Sequence, residues 1–200
     1  MEQVSSNRRI AKNTLFLYIR MLFVMAVTLY TSRLVLDALG IEDYGLYNVV
    51  GGIVSIFAII NGALSSGSSR FITFELGRGD KERLGKTFSA SFLIHTVIAL
   101  IVFVLAETIG LWYVNNILVV PEGRLVVANW LYQFSVLTCM LSLTQVPYSA
   151  CIIAHEEMNI YAFVGIAEAV FKLLMVLFLI AIDSFDRLLF YGAMICGWQI

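Results

Sequence analysis

The sequence predicts an all-α integral membrane protein, a polytopic bundle of about six transmembrane helices. Three observations carry that expectation. Of the 200 residues, 60% are hydrophobic and 14% charged, against about 45–50% and about 25% in soluble domains. The mean hydropathy of +0.88 is too apolar for a surface that faces water. The charges are also clumped, and the uncharged runs Tyr44–Ser69, Thr87–Ala106 and Leu125–Ala154 each reach the ~20 residues of a bilayer span. A soluble enzyme and a secreted disulfide scaffold are excluded. A net charge of −1 gives no pull toward nucleic acid.

The first span is expected over 13–36. Arg8, Arg9 and Lys12 precede it, but it is far longer than the ~7–15-residue core of a signal peptide. Arg33 and Asp37 end it, with no small-residue cleavage site, so it reads as an uncleaved helix. Further spans are expected over 44–66, 87–108, 126–153 and 160–182. A sixth begins near Leu188 and is still apolar at Ile200; its 13 residues reach only ~20 Å of a ~30 Å hydrocarbon core. The expectation is an incomplete last helix, and a chain that is the front part of a longer protein.

Orientation follows from lysine and arginine. Arg8, Arg9 and Lys12, with Arg70, Arg78, Lys81, Arg83 and Lys86, fall on one side if the helices alternate. That side is expected to be cytoplasmic, with the N-terminus inside. The segment 37–43 has no basic residue, and 109–125 has only Arg124. Tyr44, Trp112, Tyr113, Trp130 and Tyr161 lie near helix ends, as an interfacial aromatic belt requires. The segment from Arg70 to Lys86 alternates in sign and holds Gly77 and Gly79, which reads as a solvated turn with a short amphipathic helix. Cys139, Cys151 and Cys196 sit in apolar runs and read as small buried hydrophobes.

Polar groups inside spans are the candidate site, because each is expensive in a bilayer. At 100° per residue, Asn13, Arg20 and Thr31 share one face of the first helix, with Thr28 beside them. Arg33 and Arg70 lie closer to interfaces, where snorkelling accounts for them. Glu168 and Lys172 stand at i,i+4, acid first, near the middle of the fifth span, either as a neutralised pair or as a coupling switch. Glu157 and Tyr161 extend their face. Thr138, Ser142, Gln145 and Ser149 form a stripe on the fourth span, with Pro147 freeing a carbonyl in it. On the second span Asn61, Ser65 and Ser68 share a face, while Ala58, Gly62 and Ser66 suit close helix packing. His95 reads as a satisfied packing residue. No nucleophile–base pair, metal-spaced cluster or phosphate loop stands out, so no enzyme activity, cofactor or metal is expected.

The run Leu39-Gly40-Ile41-Glu42-Asp43-Tyr44-Gly45-Leu46-Tyr47 has the pattern LGxxDYGxY after a first helix. Ser69-Arg70-Phe71, Glu75 to Asp80, Val146-Pro147-Tyr148 and Ile153 to Asn159 accompany it. Together these resemble the bacterial oligosaccharide and polysaccharide flippases, the polysaccharide-transporter branch of the multidrug/oligosaccharidyl-lipid/polysaccharide exporter superfamily. The resemblance implies two pseudo-symmetric lobes around a cationic cavity, of which this chain matches the N-terminal one and lacks the C-terminal one. It implies export of undecaprenyl-diphosphate-linked oligosaccharide across the bacterial plasma membrane by alternating access, for O-antigen, capsule or exopolysaccharide. Membrane lipids and glycan polymerase or assembly proteins are the further partners implied. Arg20 is the cavity-cation candidate, with Asn13, Thr31, Asn61 and Gln145 as companions. The family often has a basic residue where this sequence has Glu157, so that loop is assigned no anion. The alternatives are a cation-coupled multidrug exporter and a non-transporting scaffold of envelope glycan assembly; a membrane glycosyltransferase or polymerase lacks the loop chemistry.

Overall fold

A computed structural model describes residues 2–56, 58–181 and 186–198, with side chains at all of these except 2–11, 13 and 58–60. Among the described residues the chain is helical and has no strand. The helices are α1 (Glu2–Ser55), α2 (Ala58–Arg78), α3 (Lys81–Leu105), α4 (Leu111–Asn116), α5 (Leu125–Ala154), α6 (Met158–Ala181) and α7 (Arg187–Trp198). One wide π turn, Ala106–Gly110, joins α3 to α4 in a continuous rod. Four helices are long and apolar enough to cross a membrane: Thr14–Ser55, Lys81–Asn116, Leu125–Ala154 and Met158–Ala181.

That is fewer than the six spans expected, and the reasons are local. α7 has 12 described residues, too few to cross. The expected span 44–66 is divided: α1 ends at Ser55, Ile56 lies in a turn, and α2 starts at Ala58. α2 then carries Ser65, Ser66, Ser68, Ser69, Arg70 and Glu75, which hold down its hydropathy. The 42 residues of Thr14–Ser55 would stretch ~60 Å as one rod, about twice a hydrocarbon core. Gly40 interrupts them with φ 78°, a backbone that a Cβ disfavours. Val35 and Ala38 before it pack with Tyr44 and Tyr47 after it, so the chain folds back at Gly40.

The expected loop over Arg70–Lys86 is also corrected. α2 and α3 run into it from both sides and leave a tight turn at Gly79 (φ 72°) and Asp80. Asp80 caps α3, its carboxylate accepting from the Glu82 and Arg83 N–H groups at 3.1 Å. Lys86 pairs with Glu82 at 2.7 Å one turn on.

α5 is the central helix and packs against every other one. It buries Ala128, Leu131, Tyr132, Val136, Leu143, Val146, Pro147 and Ala150 along its length. Tyr132 also shapes the rod beside it. Its hydroxyl donates to the Ala106 carbonyl at 2.8 Å, inside the π turn. A Cβ at Gly110 would fall on that hydroxyl, so the glycine lets the tyrosine in.

At the Gly40 end a three-residue clasp ties the connections together. Arg124, before α5, donates Nη2 to Asp43 at 2.6 Å and Nη1 to Asp186. Asp186 in turn accepts from the Leu188 N–H at 3.2 Å, capping α7. Arg187 donates to the Ala38 carbonyl at 3.2 Å. At the other end Ile72, Ala150 and Ala154 pack with Leu76, Leu84 and Phe88, placing the Gly79 turn beside the His155 turn. Successive passes of the chain therefore alternate in direction, with the part of α1 after Gly40 and α2 making one pass and α3 and α4 another.

Candidate functional site

The polar face of α1 lies against α6 and makes two features there. The first is Arg20. Its guanidinium carbon sits 4.4 Å from the centroid of the Tyr161 ring, within reach of a cation–π attraction. One turn along α6, Gly165 offers no side chain; a Cβ there would fall on the guanidinium, 2.9 Å from Cζ and from Nη2. The arginine is thus seated between an aromatic face and bare helix backbone. Its Nε is buried with no hydrogen-bond partner. Among the described residues no carboxylate pairs with it. An arginine held without its counter-charge is costly in a protein of this kind, and is ready for an anion.

The second feature is a cavity of about 200 Å³ further along α1. Thr28, Thr31 and Ser32 line it from before Gly40, and Tyr44 and Asn48 from after it. α6 contributes Ala169 and Lys172, and α7 contributes Tyr191. Tyr47 closes the floor, its ring 5.2 Å from that of Tyr191. Lys172 donates to Glu168 at 2.8 Å. Both members of this pair are about half exposed on the bundle face.

The expected site residues separate as follows. Thr28, Thr31 and Lys172 meet in one cavity, and Arg20 lies on the same α1–α6 seam. The side chain of Asn13 falls outside the described residues. Asn61 and Gln145 lie on α2 and α5 and line neither feature; Gln145 is exposed and has an interaction of its own. Arg33 and Arg70 are exposed. On α5, Thr138 and Ser142 line a separate cavity of about 220 Å³ with Gly51 and Ser55, and Ser142 donates to the Cys139 carbonyl. On α2 the face with Gly62 and Ser66 is exposed, and it is Ser68 that is buried, bonded to Ser91 at 2.9 Å. Among the described residues of the small-residue stripe, Gly62 and Ser66 therefore pack against no helix. Trp112, Tyr113 and Trp130 are exposed as a belt requires, but Tyr44 and Tyr161 turn inward to the site. His95, 2% exposed, bonds the Ser91 carbonyl through Nδ1 and leaves Nε2 buried without a partner, so it is only half satisfied.

Sequence reasoning missed Gly165, the clasp and Glu107. Glu107 lies in the π turn, where the Gln133 amide donates to Oε2 at 3.2 Å and Oε1 is buried without a partner. The expected span ended at residue 108, which made Glu107 an interfacial residue; the rod continues to Asn116 and takes it inside. Gly165 carries no signal beyond a glycine in an apolar helix.

The 2.8 Å pair yields a direct prediction. Glu168→Gln and Lys172→Met should each cost more than the two together, because either alone strands a charge. The double-mutant cycle, read as folded yield in detergent, should give a coupling above the ~0.5 kcal/mol of an i,i+4 pair in water. Additive losses would mean that the two side chains do not meet.

No family model matches the chain, and neither a curated protein nor a solved structure is significantly similar to it.

Proposed function

We propose that this chain is the N-terminal lobe of a bacterial flippase. It carries undecaprenyl-diphosphate-linked oligosaccharide outward across the plasma membrane for surface polysaccharide assembly, with its own N-terminus in the cytoplasm. The observation that carries the reading is Arg20, seated on Tyr161 and Gly165 with no carboxylate partner among the described residues. A diphosphate crossing a low-dielectric slab loses hydration that a fixed guanidinium restores, in bidentate geometry. The lipid tail stays in the bilayer while the charged head moves along the polar seam of α1 and α6. The LGxxDYGxY resemblance points the same way, and four of its six specified residues have physical work in this fold: Gly40 turns the chain, Asp43 enters the clasp, and Tyr44 and Tyr47 border the cavity. An exporter of cationic drugs needs carboxylates where Arg20 stands, and is disfavoured.

The test is surface glycan in the native host, measured per molecule of membrane-inserted protein. Arg20→Ala should lose nearly all export. Arg20→Lys keeps the charge without the planar fork and should retain part of it. Wild-type export per inserted Arg20→Ala molecule would defeat the proposal.

A further inference from the structure

Several hydroxyls of this bundle bond to their own helix, and the buried hydroxyl of Thr31 does not. Thr96 and Thr108 donate to the carbonyls of Phe92 and Val104 on their own helix, and Ser135 and Thr144 do likewise. Such back-bonding is the cheapest satisfaction for a hydroxyl on a buried helix. Thr31 is 9% exposed, yet its Oγ1 has no partner. It lines the cavity instead, in company with the hydroxyls of Thr28 and Ser32. Asn48 donates its amide nitrogen to the Tyr44 carbonyl at 2.7 Å, which leaves its amide oxygen to accept. The charge of Lys172 is matched by Glu168. The space is therefore about half polar, electrically neutral, supplied with both donors and acceptors, and edged by tyrosine rings and by the apolar side chains of Val27, Val35 and Ala169. A void of this size and polarity admits several waters or one compact polyhydroxylated molecule.

We infer that the cavity between α1, α6 and α7 binds a single neutral sugar unit, with Thr31 as the buried hydrogen-bonding contact and Thr28 at the mouth. Eleven residues of helix separate Arg20 from Thr31, about 16 Å along α1. A glycan whose diphosphate rests on Arg20 thus places a distal sugar, not the first, at the cavity. The choice of a sugar among polyols rests on the flippase reading; the existence of the site does not. The consequence is selectivity: Arg20 reads the phosphate, common to all such lipids, and a separate pocket further along α1 reads the glycan.

The experiment titrates the purified chain in lipid nanodiscs with methyl β-D-glucopyranoside and methyl β-D-glucuronoside, followed by saturation-transfer NMR on the ligand. The glucopyranoside should bind. Thr31→Val, nearly the same shape, should weaken it about fivefold, the worth of one hydrogen bond. Thr28→Leu, at an exposed position, should fill the mouth and abolish the signal; it carries the test should Thr31→Val insert poorly. No glucopyranoside binding, or binding indifferent to both substitutions, overturns the site. Glucuronoside binding more than tenfold tighter overturns its neutral character. If glucopyranoside binding holds while Arg20→Ala exports normally, the flippase reading fails and the site stands. If Arg20→Ala abolishes export and no glycoside binds, the reverse follows.

Discussion

Gly165→Leu is expected to abolish glycan export as completely as removal of Arg20, while the chain still folds and inserts. A Cβ at Gly165 would stand 2.9 Å from Cζ and Nη2 of Arg20 and nearer still to Nε, closer than such contacts allow, so any side chain there must push the cation away. The atoms to be displaced belong to the end of a long flexible side chain rather than to backbone, so the helices need not separate. Replacing a helical glycine also gains up to ~1 kcal/mol of propensity, which works against loss of yield. What is lost is the seat on Tyr161, 4.4 Å away, and with it the fixed position of the charge. Gly165→Ala is the milder case: the guanidinium can swing past a methyl group, and about tenfold less export is expected, the equivalent of ~1.4 kcal/mol. Export must be counted per inserted molecule. Wild-type export with leucine at 165 would show that the seat has no part in transport.

Arg124→Ala should be the most destabilising single change at the Gly40 end of the bundle. The guanidinium bridges Asp43 and Asp186, and Asp43 is only 9% exposed. Removing the cation leaves two carboxylates facing each other. Breaking a fully buried pair costs about 3–5 kcal/mol, but Arg124 keeps about a third of its surface, and solvent screening brings the expectation to about 2 kcal/mol. The denaturation midpoint of the purified chain in detergent reads this directly. The combination of Asp43→Asn, Arg124→Met and Asp186→Asn should recover most of the loss, because no charge is then stranded and asparagine still caps α7. A shift below about 0.5 kcal/mol for Arg124→Ala, the range of an ordinary surface substitution, would show that the clasp holds nothing.

The parts of this fold legible in the sequence are those that charge punctuates. α5 was expected over 126–153 and runs Leu125–Ala154, because Arg124 and His155 bracket an uncharged run. α6 was expected from 160 and begins at Met158, just after two acids. The break at Ile56 was invisible for the converse reason: no charge occurs between Asp43 and Arg70, and apolar periodicity looks alike in one helix and in two halves. The i,i+4 pairing of Glu168 and Lys172 is local and could be read from spacing. The seat of Arg20 could not. It depends on Gly165, 145 residues along the chain, and a close approach between two helices leaves no periodic trace in either. Arg124 stood out only as the one base in a base-poor loop, and its partners lie just past the Gly40 break in α1 and just before α7.

The wide turn at Ala106–Gly110 has a consequence for how this helix tolerates change of length. Val102, Ala106, Gly110 and Val114 are all buried, so one face of the rod looks inward throughout. Twelve residues of regular helix would rotate Val114 by about 120° relative to Val102, turning it out of the core. The extra residue held in the π turn takes back about 100° of that. The turn is in effect an insertion already absorbed. Deleting one residue, such as Thr108, would return the rod to regular α-helix with Val102 and Val114 still aligned, at the cost of the Tyr132 bond to Ala106. Adding one would throw Trp112 and Val114 out of phase together. Length variation at this point in related chains should run toward the shorter form.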